Sequence, residues 1–218
     1  MEHPPIKRID KKGKFISLFN PNTGFYVRSG VIENGSDTGI DPFMASFPEL
    51  IDIGVMGTCK HGGSGLCVRS GVQCYQNGLH VKKDNMTLLD FKHLIDQCAG
   101  QVFQVALGGR GDPNEHEYFE EMLSYCRTHS IVPNYTTSGY GLTEAQADIS
   151  KIYCGAVAVS WYRSEYTLRA LHLLLKKGVK TNIHFVISNK TIQYAIDLLH
   201  QGKMLPEGVN AIIFLLHH

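Results

Sequence analysis

Long apolar runs are missing from this sequence, and their absence limits where the protein can work. No stretch approaches the roughly 20 consecutive apolar residues that a membrane-spanning helix needs. The amino terminus carries charges but no apolar segment behind them, so it does not look like a secretory signal. We therefore expect a cytoplasmic protein with no membrane partner, in which thiols stay reduced.

An excess of charge of one sign is missing as well. The 21 Lys and Arg residues nearly balance the 20 Asp and Glu residues, which leaves a formal net charge of +1. Without a strong positive field, nucleic acid is not an expected partner. Apolar residues make up 43% of the chain and charged residues 19%, a balance typical of a folded globular domain.

Strand-like and helix-like segments alternate from residue 51 onward. Predicted strands cover 51–55, 102–107, 131–136, 153–160, 179–187 and 211–216. Predicted helices cover 88–98, 115–127, 143–149 with Thr143 as a candidate N-cap, 166–177 with Gly178 as its terminator, and 191–200. This alternation predicts an α/β fold with right-handed βαβ units and a parallel sheet, either covered on both faces or curled into a barrel.

The two ends of the chain depart from the repeats. Residues 15–28 hold two short β-like runs around the turn sequence Asn-Pro-Asn-Thr-Gly, which predicts a β-hairpin. Residues 33–48 are rich in Gly, Asp, Ser and Pro and are predicted to form a loop. We therefore divide the chain into an N-terminal extension, 1–47, and a main domain, 48–218. The chain stops on its last predicted strand, so either the barrel is partial or a C-terminal portion is missing, and we expect truncation.

Three of the six cysteines lie close together, directly after the first strand of the repeats. Cys59, Cys67 and Cys74 fall within sixteen residues of a glycine-rich segment. In parallel βα folds the carboxyl ends of the strands carry the active site, and glycines let the backbone wrap a metal centre closely. Three thiolates are one fewer than the usual four ligands. A 4Fe-4S cluster held by them would keep one open position for a substrate or cofactor.

Other roles for the cysteines stay open on the sequence alone. A structural zinc site could use His61 as a fourth ligand, although Cys-x-His is poor spacing for paired zinc ligands. The three thiols could also bind nothing. Cys98 and Cys126 lie on apolar faces of predicted helices, and Cys154 starts a predicted strand, so these three are expected in the core.

A glycine-rich segment, GGRGDP at 108–113, follows the second strand of the repeats. Bare glycine backbone can turn its carbonyl groups toward an ammonium group, and the acidic Asp112 can help. The alternative is an ordinary loop that starts a helix, with Asp112 or Asn114 as its cap. Phosphate binding is disfavoured, because the segment matches neither G-x-x-x-x-G-K-S/T nor G-x-G-x-x-G.

A cysteine loop after the first strand and a glycine loop after the second resemble the radical SAM (S-adenosylmethionine) superfamily. The resemblance covers roughly residues 48–216, and the intervals of seven and six residues between the cysteines are longer than the family's usual spacing. The resemblance implies a partial (βα)6 TIM-like barrel with an N-terminal β-hairpin extension. It also implies that Cys59, Cys67 and Cys74 are the metal ligands of a 4Fe-4S cluster.

The resemblance further implies contacts to the cofactor SAM. Gly108, Gly109, Gly111 and Asp112 match the segment that holds the methionyl amino group. The remaining implied contacts are Tyr75 just after the third cysteine, Thr137 and Ser138 after the third strand, Ser160 at the end of the fourth, Arg169 on the next helix, and His184 on the fifth strand. Arg169 could pair with the SAM carboxylate or be a solvated helix residue. His184 could point into the barrel or be a core histidine.

The chemistry implied by the resemblance is oxygen-sensitive and reductive. An electron from reduced flavodoxin or ferredoxin cleaves SAM at the cluster, and the 5′-deoxyadenosyl radical abstracts hydrogen from a substrate. The substrate is not readable from the sequence. A peptide is favoured because the hairpin edge could accept an added strand, although the hairpin could equally be a lid on the barrel. The alternative function is a non-catalytic zinc- or iron–sulfur-binding structural module.

Overall fold

The structure is a computed structural model that describes residues 4–71, 74, 76, 80–201 and 205–216. The N-terminal part forms an antiparallel sheet in the order β1-β2-β3, followed by a two-stranded ribbon of β4 and β5. These strands are β1 (Ile6–Asp10), β2 (Phe15–Phe19), β3 (Tyr26–Arg28), β4 (Ile32–Glu33) and β5 (Ser36–Asp37). The predicted hairpin is confirmed as β2 and β3. The strand β1 was not predicted, and the ribbon lies partly in the segment predicted as a loop.

The rest of the chain forms a six-stranded parallel sheet in which each strand pairs with the next along the sequence. Its strands are β6 (Leu50–Met56), β7 (Gln104–Gly109), β8 (Val132–Thr137), β9 (Val157–Ser160), β10 (Thr181–Ile187) and β11 (Ala211–Leu216). The predicted α/β fold, a partial TIM-like barrel, is confirmed.

Helices follow the first five of these strands. They are α1 (Lys60–Ser64), α2 (Leu66–Arg69), α3 (Leu88–Cys98), α4 (Phe119–Thr128), α5 (Glu144–Tyr153), α6 (Glu165–Lys176) and α7 (Ile192–Gln201). Thr143 caps α5 in a reciprocal capping box with Gln146, as its position predicted. Within the described ranges, no helix is long and apolar enough to cross a membrane.

The two faces of the parallel sheet differ in character because successive side chains alternate. The face under the helices carries apolar residues of the main core, such as Val55, Leu107 and Phe185. The opposite, interior face carries small and polar residues toward the carboxyl ends of the strands: Gly54, Gly108, Thr136, Ser160 and His184. A polar groove therefore lines the inside of the partial barrel.

The N-terminal sheet packs against the amino ends of the parallel strands. Phe19 of β2 is 1% exposed, and its ring stacks on Phe103, which precedes β7, at 5.2 Å between centroids. Glu49, just before β6, accepts a hydrogen bond from the Ser17 hydroxyl at 2.5 Å. Arg8 of β1 lies over the Phe103 ring. The hairpin is thus at the end of the barrel opposite the cysteine loop, so the lid hypothesis is wrong.

Candidate active site at the carboxyl ends of the strands

The first two cysteines lie on two short helices, α1 and α2, rather than in an irregular loop. Cys59 is the N-cap of α1, and its Sγ accepts a hydrogen bond from the Gly62 amide at 2.9 Å. Gly65, with a φ of 69°, ends α1 and starts α2. This left-handed conformation suits glycine, so the chain can turn between two very short helices. Cys67 is buried in α2.

The three thiols share one electrostatic neighbourhood. Burial raises the pKa of Cys59 to about 11, and Asp112, Cys67 and Cys74 add to the rise, while the Gly62 amide opposes it. Burial also raises the pKa of Cys67, and Cys74 contributes. Because Coulomb interactions weaken with distance, these contributions indicate that Cys67, Cys74 and Asp112 lie within electrostatic range of Cys59.

Iron–sulfur clusters are held by cysteine thiolates, so the three cysteines of this glycine-rich loop have the right chemistry to bind one. Their position after the carboxyl end of β6 also suits such a group. They are not preassembled, because no group of three or more His, Cys, Asp or Glu side chains within the described residues is arranged to hold a metal ion. Deprotonation and a closer approach of the thiols would accompany binding. Tyr75, the predicted aromatic contact, lies outside the described residues.

His61 does not join the thiols. The residue is 4% exposed, and its Nε2 lies 2.7 Å from the Tyr166 hydroxyl. Burial lowers the pKa of His61 to about 4, so the ring is neutral near pH 7. The zinc hypothesis needed His61 as a fourth ligand beside the cysteines, and the ring is instead committed to a hydrogen bond with a tyrosine.

The glycine segment, whose first two residues end β7, packs directly on the start of the cysteine loop. A Cβ at Gly111 would lie 2.0 Å from the Thr58 carbonyl oxygen, so only glycine allows this approach. Gly109 has a φ of 112°, which also favours glycine. Gly108 differs, because a Cβ there would meet nothing within 4 Å. It leaves open backbone on the interior face, as a ligand contact would require.

Arg110 in the same segment ties the two loops together. Its Nε donates to the Gln76 carbonyl at 3.0 Å, two residues after Cys74. Its backbone amide donates to the Met56 carbonyl at 3.1 Å.

Asp112 connects this segment to the end of the neighbouring strand β8. Its carboxylate accepts hydrogen bonds from the amide and the hydroxyl of Ser138 and from the side chain of Thr137. Asp112 occupies the N-cap position of a 3-10 turn at Pro113–Glu115, as the alternative interpretation predicted, but its side chain makes no capping hydrogen bond there. The predicted residues Asp112, Thr137 and Ser138 are therefore brought together.

Two further predicted residues lie on the interior face. Ser160 and His184 are register partners on β9 and β10, and the His184 Nδ1 is 3.5 Å from the Thr136 hydroxyl. Burial lowers the pKa of His184, which favours a neutral ring. Arg169 is not brought to this group. It is exposed on α6, beside the buried stripe that includes Tyr166 and Ala170, as expected for a solvated helix residue.

Of the other three cysteines, Cys98 and Cys126 are buried in the core as predicted, and Cys154 is half-buried and packs against it. Cys98 and Cys126 are at most 1% exposed. Burial raises the pKa of Cys154 to about 12.

Sequence reasoning missed the segment that follows β9. Arg163 has a left-handed φ of 54° and donates a hydrogen bond to the Ser70 carbonyl, at the end of α2. Its guanidinium also lies over the Tyr194 ring at 4.2 Å. The run Trp-Tyr-Arg after a parallel strand was the available signal, since strand-end loops of this fold carry function.

No protein-family model matches the chain, and no curated protein matches it. Several solved structures do match. SuiB of Streptococcus suis bound to S-adenosylmethionine is 13% identical with a TM-score of 0.63, over 100% of this chain and 63% of SuiB. SuiB bound to its precursor peptide SuiA is 13% identical with a TM-score of 0.65, over 98% of this chain and 62% of SuiB.

A second neighbour is anSMEcpe with bound AdoMet, which is 17% identical with a TM-score of 0.59, over 77% of this chain and 50% of that one. These neighbours are radical SAM enzymes. The chain spans 63% of the length of SuiB and 50% of anSMEcpe. At such low identity the likeness establishes the fold, which is the fold that the sequence resemblance implied.

Proposed function

We propose that the chain is the catalytic barrel of a radical SAM enzyme. The proposal is supported by the position of Cys59 and Cys67 on the short helices directly after β6, with Cys74 and Asp112 near enough to contribute to the raised pKa of Cys59. The bare backbone of Gly108 lies one strand away on the interior face. Thiols for a cluster and an acceptor for an ammonium group are thus next to each other.

Cys59, Cys67 and Cys74 would hold a 4Fe-4S cluster that keeps one iron open to SAM. The bound cluster would supply the electron that splits SAM into methionine and a 5′-deoxyadenosyl radical, which takes a hydrogen atom from the substrate. The electron would come from reduced flavodoxin or ferredoxin.

Asp112 orients SAM in this proposal. Its carboxylate is fixed by Ser138 and Thr137, and each carboxylate oxygen can accept more than one hydrogen bond. A charge-assisted hydrogen bond from the methionyl ammonium is therefore compatible with the geometry. Thr137 and Ser138 would act through Asp112.

The rest of SAM would extend along the interior face toward Ser160 and His184. A neutral imidazole and a hydroxyl can hydrogen-bond to ribose without adding charge. Gly54 and Gly108, which pair in register, leave room for a flat ring system to lie against the sheet.

A peptide is the proposed substrate class. SuiB has been solved with its precursor peptide SuiA, and anSMEcpe with the Cp18Cys peptide. In the present chain the interior face of β11 exposes Ile213 and Leu215, by 38% and 40%, so an apolar side chain of a peptide could pack there. The N-terminal sheet, at the other end of the barrel, would reach a peptide only along its outer edges, β1 or β3.

Purification of the full chain without oxygen, followed by iron and sulfide analysis, tests the proposal. We expect about four iron ions per chain, and release of 5′-deoxyadenosine after addition of dithionite and SAM. Cys67→Ala should remove both signals, whereas Cys98→Ala, the same change at a core thiol, should keep the iron. Zinc in place of iron would instead favour the structural module.

A further inference from the structure

Three tyrosine rings surround the imidazole of His61. The ring centroid of His61 is 5.6 Å from that of Tyr140, 4.7 Å from that of Tyr162 and 5.3 Å from that of Tyr166. Tyr140 and Tyr166 also contact each other edge to face at 5.6 Å. We call these three residues the tyrosine cage. Aromatic contacts of this geometry stabilise the folded state by more than the burial of apolar area alone would.

The cage draws on parts of the fold far from the cysteine loop in sequence. Tyr140 lies after β8, Tyr162 lies after β9, and Tyr166 is in the first turn of α6. His61 is in α1, two residues after Cys59 and six before Cys67. The contacts of His61 with the cage therefore connect the segment after β6 to the segments after β8 and β9, across the mouth of the barrel.

The same short segment is held at both of its ends. Lys60 pairs with Glu115 of the β7 loop at 3.3 Å. Ser70, directly after α2, accepts the hydrogen bond from Arg163. Of these contacts, the hydrogen bond between His61 and Tyr166 is buried. We therefore expect it to restrict the position of the segment more than the other two contacts do.

We propose that His61 is a positioning residue: its hydrogen bond to Tyr166 inside the tyrosine cage docks the α1–α2 segment, and so sets where Cys59 and Cys67 face a cluster. The long interval between these cysteines provides the residues that form this docked segment. The inference rests on the proposed function for its cluster, but the docking of the segment can also be measured without one.

Removing the hydroxyl group of Tyr166 distinguishes this proposal from a general contribution of packing to stability. Tyr166→Phe keeps the ring and leaves the His61 Nε2 without its partner in a buried site, which is costly. Tyr140→Phe is the matched control, because it removes a hydroxyl from a second cage ring that touches His61 only through its face or edge. His61→Gln retains a polar group that can reach Tyr166, and His61→Phe does not.

Trypsin cleavage of the apo chain tests the docking directly. Arg69 is exposed in α2 and offers a cleavage site within the segment. We expect cleavage after Arg69 to be about tenfold faster in Tyr166→Phe than in the wild type, because the segment opens more often. Tyr140→Phe should stay close to the wild-type rate. Equal rates in both variants would overturn the proposal.

The reconstituted chain provides the second measurement. Iron loss to a chelator should be about tenfold faster in Tyr166→Phe and His61→Phe, and should recover partly in His61→Gln. The electron paramagnetic resonance spectrum of the reduced cluster should shift in the first two variants and not in Tyr140→Phe. If the wild type holds iron and all variants behave alike, the positioning role of His61 is overturned and the proposed function stands. If the wild type holds no iron, the proposed function is overturned, and so is the role of His61 in placing a cluster.

Discussion

The carboxylate of Asp112 accepts two hydrogen bonds from Ser138, one from its amide at 2.8 Å and one from its hydroxyl at 2.5 Å. Asp112 follows β7 and Ser138 follows β8, so one side chain joins two neighbouring strand-end loops. Burial raises the pKa of Asp112, while the bonds from Ser138 and Thr137 act against the rise. A buried acceptor beside the cysteine loop is suited to a cationic group.

Asp112→Asn should weaken SAM binding by about tenfold or more while the chain stays folded. The amide oxygen can still accept the Ser138 N–H, but the charge that would face the ammonium is lost, and hydrogen bonds to charged groups contribute roughly 1.5–3 kcal/mol. Titration calorimetry on the reconstituted protein measures the change. Glu117→Gln removes a charge from the exposed side of the same loop and should bind SAM normally. Equal affinities in the two variants would contradict the assignment of Asp112.

Gly111→Ala should destabilise the protein, and Gly108→Ala should not. The new Cβ at Gly111 would lie 2.0 Å from the Thr58 carbonyl, whereas at Gly108 it meets nothing within 4 Å. Forcing the two loops apart should cost about 1–3 kcal/mol or more of unfolding free energy. Urea denaturation measures this difference. Similar losses in both variants would mean that the contact of Gly111 with Thr58 is not what requires glycine.

Gly108→Ala has a separate expected effect on ligand binding. A methyl group on the open interior face should reduce SAM affinity without changing the urea midpoint, if SAM lies against this backbone as proposed. Unchanged SAM affinity in the folded variant would place the ligand elsewhere.

Phe19→Ala should lower the unfolding free energy of the whole chain by about 3–5 kcal/mol, the usual cost of removing a buried phenylalanine. Phe19 stacks on Phe103 at the base of the barrel. Trp161, the single tryptophan, is buried in the main core and reports unfolding of the barrel by fluorescence. Phe25→Ala, at a residue that is 65% exposed, should change stability by less than about 0.5 kcal/mol.

The same experiment tests the division proposed at residue 47. If the N-terminal extension unfolds on its own, the Trp161 transition will not move in Phe19→Ala. If the sheet and the barrel unfold together, the transition will shift to lower urea.

Asp10→Asn should cost about 1–3 kcal/mol near neutral pH. The Asp10 carboxylate accepts the Ser46 amide at 2.6 Å, the Gly13 amide at 2.7 Å and the Ser46 hydroxyl at 2.8 Å. The Ser46 amide first, and then that of Gly13, lower the pKa of Asp10 in the folded state. Its stabilising contribution is therefore complete above the unfolded value of about 3.9 and is lost as pH falls through the folded value.

The measurement is urea unfolding of the wild type and Asp10→Asn at several pH values. The stability difference should be constant from neutral pH to about pH 5 and should shrink below about pH 4. A difference independent of pH down to about pH 3 would show that the charge of Asp10 contributes nothing.

Local sequence signals predicted the repeats well where a cap and an amphipathic pattern coincide. The helix at 88–98 has its predicted bounds, because Thr87 caps it and Phe91 and Ile95 recur on one face. The helix predicted from 115 starts at Phe119, since the chain first makes a 3-10 turn at Pro113–Glu115. The strand predicted from 153 starts at Val157, because α5 continues to Tyr153.

Short elements and long-range contacts escaped prediction for a physical reason. The helices α1 and α2 have five and four residues and contain or follow glycine, so their intrinsic propensity is low and only tertiary contacts form them. The pairing of His61 with Tyr166 joins residues 105 positions apart, and no spacing rule can predict it. Charged residues in β1 concealed the alternation that would have revealed a strand.

The N-terminal sheet and the cysteine loop occupy opposite ends of the partial barrel. The contacts by which the sheet stabilises the fold are therefore separate from the contacts of the candidate site. Mutations in the N-terminal sheet should therefore alter the urea midpoint before they alter SAM binding, whereas Gly108→Ala at the other end should alter SAM binding alone. A reporter dye attached near the turn at residues 20–24 would therefore follow folding from a place remote from Cys59 and Cys67.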